Sequence, residues 1–213
     1  DMRVSATGTL TNTGTLAAAG GLTVLGADVV NAAGAGMNGS TTTVTASHSL
    51  TNAGRIEGDT VQTNSPTTTN TGTIIGNNVT VQGADVVNTG DAALMAAAQN
   101  LHVYASNSVQ NLDGATLYSA GNLQIARDGT RDPNTGLLIN QVSTLTNRSA
   151  TIDAEGDIDI AAKQVDNTRA SLVTAPGTSV SSGQTLTLWQ AGLTGTELNY
   201  HISITFPGWA WSG

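Results

Sequence analysis

Four carboxylates alternate along one stretch of the chain: Asp153, Glu155, Asp157 and Asp159. Clustered carboxylates can hold a hard cation such as calcium. Here Ile152, Ile158 and Ile160 lie between or beside them, so alternation along a strand sends the acids to water and the isoleucines to a core. The G-G-x-G-x-D nonapeptide of calcium-binding repeats is absent. His48, His102 and His201 are far apart and lack the H-x-x-x-H spacing of a metal site. Neither a G-x-S-x-G elbow nor a phosphate-binding loop occurs. Glycan cleavage needs carboxylates, alone or with Arg or Lys, gathered on one face. With Lys163 as the one lysine and the arginines scattered, such a cluster is not expected. Cysteine is absent, which excludes disulfides and thiolate metal sites. The residues therefore predict no enzyme: no catalytic residue, no cofactor and no metal.

Contact chemistry is better represented, in two places. The segment Arg127-Asp128-Gly129-Thr130-Arg131-Asp132-Pro133-Asn134-Thr135-Gly136 is charged and rich in turn formers, between Leu123-Gln124-Ile125 and Leu137-Leu138-Ile139. It reads as a β-hairpin or long loop, over about residues 126–141, that leaves the main body. Loops on a rigid scaffold often carry binding, so Arg127, Arg131, Asp132 and Asn134 are candidate partner contacts. The second place is the C-terminal region, where Trp189, Tyr200, Phe206, Trp209 and Trp211 crowd into the last 25 residues. His201 to Phe206 alternates like a strand, and Pro207-Gly208 ends it. Tyr200, Phe206, Trp209 and Trp211 suit either a cap over an exposed sheet end or a contact patch for protein or sugar.

Positioning such residues falls to a repeat. An apolar-x-Asn triplet recurs with its asparagine at Asn12, Asn31, Asn52, Asn88, Asn111, Asn147 and Asn167, and a weaker copy ends at Asn70. Successive spacings are 19, 21, 18, 18, 23, 36 and 20 residues. Apart from the 36, which contains the charged insert, each is one period. Gly and a second apolar position often follow, as in Gly54-Arg55-Ile56 and Gly72-Thr73-Ile74. A third alternating piece comes later, as in Leu22-Thr23-Val24, Val79-Thr80-Val81 and Leu101-His102-Val103. Each period thus holds three short strands, which makes a three-sided coil of about 20 residues. Gly, Thr and Asn are poor helix formers at this density, and no apolar stripe runs at helical spacing.

The expected fold is all-β: a right-handed parallel β-helix over residues 1–188, carrying the extra-helical hairpin, with 189–213 as a cap or the start of a following region. The hand follows from the preference of parallel crossovers. Inward Leu, Val, Ile and Ala would stack on their counterparts about 4.8 Å away. Roughly ten coils would make a rod of about 50 Å on that spacing. Asparagine can take a left-handed corner and bond its amide to the next coil, so Asn12, Asn31, Asn52, Asn70, Asn88, Asn111, Asn147 and Asn167 are expected to form a structural ladder.

Composition agrees. Only 10% of residues are charged, so Thr, Ser, Asn and Gly must keep the surface wet. A net charge of −8 argues against nucleic acid, since no basic stripe exists to neutralise phosphates. No apolar stretch approaches the length of a membrane-spanning helix.

The pattern L-T-N-x-G-x-[LI], a short strand, then V-x-N resembles the repeats of filamentous haemagglutinin-type exoproteins. Ser49–Ile56, Val86–Leu94, Ser108–Ile125 and Ser143–Thr168 carry the resemblance, which extends over about residues 8–188. These are two-partner-secreted proteins of Gram-negative bacteria, contact-dependent growth inhibition effectors among them. The resemblance implies a β-helical stalk or adhesin segment on the outer-membrane surface, exported through a partner β-barrel transporter. A cell-surface protein or glycan would be its receptor.

Overall fold

The computed structural model describes residues 1–170 and two strands near the C-terminus, 203–206 and 209–212. The described residues contain strands and turns and no helix. They fall into two units divided after Ser171, and each is taken by itself.

The first unit opens with β1 (Met2–Ser5), β2 (Thr9–Asn12), β3 (Thr15–Ala17), β4 (Gly21–Asn31) and β5 (Gly36–Asn38). Four long strands follow: β6 (Thr41–Asn52), β7 (Arg55–Asn70), β8 (Thr73–Thr89) and β9 (Leu94–Leu112). It closes with β10 (Thr116–Ser119), β11 (Asn122–Ala126), β12 (Val142–Arg148), β13 (Thr151–Ala154), β14 (Ile158–Ile160) and β15 (Ala162–Thr168). All fifteen strands belong to one sheet wound on itself, and every strand pairing is parallel. The result is a β-solenoid of about eight turns, roughly 20 residues apart.

The middle strands are longer than three separate pieces per coil. β8 pairs with β9 from Thr73↔Leu94 to Thr89↔Leu112, with register shifts only between Gly76 and Asn78 and between Gly83 and Asp85. Those shifts are the corners. The chain keeps donating and accepting across them, so the ladder of one side runs into the next.

Alternation sets what lies inside. One inward column runs Leu10, Val29, Leu50, Thr68, Val86, Val109, Leu145. A second runs Leu16, Met37, Ile56, Ile74, Met95, Leu117, Ile152. The third side contributes two, Leu22 to Leu123 and Val24 to Ile125. Most of these side chains are buried and form one continuous core. Ile158, Ile160 and Val165 continue the columns into the last described coil, where they are 43%, 43% and 54% exposed.

The second unit contains β16 (Ser203–Phe206) and β17 (Trp209–Ser212), an antiparallel pair in the register Ser203↔Ser212 to Phe206↔Trp209. Tyr200 and the side chains of Phe206, Trp209 and Trp211, expected to cap or to bind, lie outside the described residues.

Leu101 sits at zero exposure between Val79 and Leu123. Leu101→Ala should cost about 2–5 kcal/mol, read as a lowered midpoint in denaturant titration with the parallel-β circular dichroism signature retained.

Candidate functional site

The expected ladder positions come together in one unbroken file. Asn12 Nδ2 donates to Asn31 Oδ1 at 2.9 Å, Asn31 to Asn52 at 2.8 Å, and Asn52 to Asn70 at 2.7 Å. Asn70 then donates to Asn88 at 2.8 Å, Asn88 to Asn111 at 2.9 Å, Asn111 to Asn147 at 3.0 Å, and Asn147 to Asn167 at 2.9 Å. The 36-residue step between Asn111 and Asn147 is bridged as closely as the others. Each amide nitrogen from Asn12 to Asn147 also donates to a backbone carbonyl, such as Gly36 O from Asn12 and Thr151 O from Asn111. From Asn12 to Asn111 these side chains are buried.

These asparagines do not take the left-handed corner. They close extended strands, and after Asn31, Asn88, Asn111 and Asn147 a positive φ comes two or three residues later, at Gly34 (77°), Gly90 (98°), Asp113 (56°) and Ser149 (46°). An inward amide needs an extended backbone to aim along the stack. The turn is therefore passed on to residues without a part in the file.

A second amide column went unread in the sequence. Asn100 donates to Asn78 at 2.9 Å and Asn122 to Asn100 at 3.5 Å, while Asn122 Oδ1 accepts from the Asp157 N–H at 3.0 Å. Its signal was present, since each begins the third strand piece of its coil.

The insert folds into an antiparallel hairpin. Arg127 N–H donates to Asn140 O at 3.0 Å, Ile139 to Thr130 at 3.1 Å, and Asp132 to Leu137 at 2.9 Å. It does not stand clear of the stack. Gly129 lies so near Tyr104 that an added Cβ would meet the phenol oxygen at 2.7 Å. The Arg131 guanidinium reaches the Asp159 carboxylate on β14. The hairpin is thereby tied to β9 and to β14 on the face where β11 lies between them.

Beneath it His102 and Tyr104 stack with ring centroids 5.4 Å apart, and Tyr104 Oη donates to Gln124 at 2.8 Å. Burial, and then the nearby Arg131 charge, push the His102 pKa below its ordinary value. Burial raises that of Tyr104.

Of the four contact residues read in the insert, Arg127, Arg131 and Asn134 are exposed, and the side chains of Arg131 and Asp132 are bonded within the fold. Asp132 Oδ1 accepts the N–H groups of Asn134 at 2.7 Å and Thr135 at 3.1 Å. The apolar side chains the hairpin presents to water are Leu137 and Ile139, 63% and 52% exposed.

The alternating acids are dispersed: Glu155 accepts from Tyr118 Oη at 2.6 Å and Asp159 pairs with Arg131. Among the described residues no group of three or more His, Asp or Glu is placed to share a metal ion.

An open groove of about 930 Å³ is lined by residues that include Gly39, Gly58, Gly76, Ala97, Glu57 and Tyr118. A Cβ at Gly58 would come within 2.5 Å of Gly39 O, and one at Gly76 within 2.6 Å of Gly58 O. Close stacking of successive coils thus accounts for the small residues. Glu57 is held below its usual pKa by Arg55, and Asn38 also bonds to it.

The model of the haemagglutinin repeat matches residues 3–57, 55–103, 96–144 and 118–189, nearly the whole chain. The chain belongs to the haemagglutinin repeat family. No curated protein and no solved structure matches it. Haemagglutinin repeats are structural, adhesin-type modules and indicate secreted cell-surface proteins. No helix among the described residues is long and apolar enough to cross a membrane.

Asn70→Ala removes the acceptor of Asn52 and the donor to Asn88, Gly72 and Leu94, and should cost at least about 2 kcal/mol in denaturant titration. Asn167→Ala, at the exposed end of the file, should cost less than about 1 kcal/mol. In the hairpin, hydrogen bonds from Thr130 and Asn140 lower the Asp128 pKa, and the N–H groups of Asn134 and Thr135 lower that of Asp132. Both folded values lie below the unfolded 3.8, so their support is complete above 3.8 and is lost as pH falls through the folded values. Hydrogen exchange over 128–136, corrected for intrinsic rate, should quicken on that acidification while the β8 amides stay protected.

Proposed function

We propose that this chain is a stalk segment of a large adhesin-type exoprotein, which holds binding or toxin regions away from the cell that makes it. The observation that supports this best is the uniformity of the stack. Its coils repeat one inward pattern and one asparagine file, and the side chains with chemistry are spread along the surface rather than gathered. In such an array each coil is stabilised by its neighbours, so length can be added or removed without redesign. The family resemblance supports export through an outer-membrane β-barrel transporter of a Gram-negative cell. Contact-dependent growth inhibition is one setting in which such stalks are used.

A second reading is that the hairpin itself touches a target cell through a surface protein or glycan. It draws support from the exposure of Leu137 and Ile139 beside Arg127 and Asn134. The aromatic residues Tyr200, Phe206, Trp209 and Trp211 belong to the same proposal.

One set of variants tests both readings. Excising residues 53–70 joins Asn52 to Thr71 as Asn70 is joined now. A stalk should refold with one coil fewer, and loss of all structure would contradict the stalk reading. The intact fragment is then applied to panels of bacterial and host cells beside a variant lacking Asp128 to Gly136 and a Trp209→Ala/Trp211→Ala variant. Saturable binding lost in one variant supports receptor contact at that place. No binding by the folded fragment supports a spacer alone.

A further inference from the structure

The inward columns are apolar nearly throughout, and the departures are Thr42 in β6 and Thr63 and Thr68 in β7. In β7, Thr63 stands between Val44 and Val81, and Thr68 stands between Leu50 and Val86. Thr63 is 2% exposed, and Thr68 and its neighbour Ser65 are fully buried. The Ser65 hydroxyl donates to Thr67 O at 2.8 Å. The hydroxyls of Thr63 and Thr68 have no partner. Buried threonine is not the cause in itself, because Thr42, one coil earlier, donates to Glu57 O at 2.7 Å. Threonine has nearly the shape of valine, so the columns stay filled while two hydroxyls give up water for nothing.

We propose that the coil Arg55–Asn70 is a built-in weak layer of the rod, the first internal coil to open under denaturant or axial tension. Stability in a stack is a sum of coil terms and nearest-neighbour terms. A coil with two unpaired buried hydroxyls therefore opens before coils that carry Val or Leu at the same positions. The asparagine file crosses this coil unbroken, from Asn52 through Asn70 to Asn88. A stalk with one preferred layer yields there and leaves the blocks on either side folded.

Hydrogen exchange of the whole chain, read by mass spectrometry, tests this. Peptides within 56–70 should exchange at least roughly tenfold faster than those of the coils before and after them, since one unpaired buried hydroxyl is worth about that and this coil holds two. Thr63→Val/Thr68→Val should slow them to the rate of their neighbours. Thr42→Val, which removes a satisfied hydroxyl, should not slow exchange. Equal protection of 56–70 and its neighbours in the unaltered chain would overturn the proposal whether or not the variants fold. So would an unchanged rate in the double variant, or slowing of the same size in Thr42→Val.

Discussion

A coil that turns three corners in about 20 residues carries amide and carbonyl groups into a core that water does not reach, and each needs a partner. At one corner the need is met by side-chain amides. Each inner asparagine spends one N–H on the next asparagine and another on a corner carbonyl, and its oxygen receives the amide before it. An isolated buried amide would be a liability. Stacked, the amides satisfy one another, and the saving grows with every coil added. The file also fixes register, because a slip by one residue would turn both the asparagine and the apolar residue two before it outward.

Much else follows from that constraint. The triplet before each asparagine must be extended, so its first residue is an inward apolar one and its second faces water. Where a coil uses a left-handed turn at this corner it comes after the asparagine, as at Gly34, Gly90, Asp113 and Ser149. Insertions are tolerated at another corner, and there the hairpin enters, between β11 and β12. Asn111 and Asn147 remain bonded across it, so a long excursion costs the stack little. Having left the coil, the hairpin packs back against Tyr104 and pairs with Asp159.

The architecture was readable because strand alternation and a fixed asparagine spacing are local signals. Leu50-Thr51-Asn52 or Val86-Val87-Asn88 states its own inside and outside. Contacts between coils were harder to read. That Thr42 finds Glu57 O while Thr63 and Thr68 find nothing depends on how neighbouring coils sit at a corner, 15 residues apart in the first case. The fate of Arg131 was hidden for the same reason: its partner Asp159 is 28 residues further on. Charged turn residues look free in a sequence, and here three of the four, Asp128, Arg131 and Asp132, bond within the turn itself. The middle strands run longer than their apolar pieces suggest because corner residues such as Gly76 and Gly83 remain paired across coils.

The stack depends on the buried asparagine file, and side-chain amide exchange measured by NMR addresses it directly. If the file exists in solution, the Nδ2 protons of Asn31, Asn52, Asn70, Asn88 and Asn111 will exchange as slowly as the backbone amides of β8. The surface amide of Asn134 will exchange at the rate of free asparagine. Fast exchange at the five buried positions, in a protein whose β8 backbone is protected, would contradict the account.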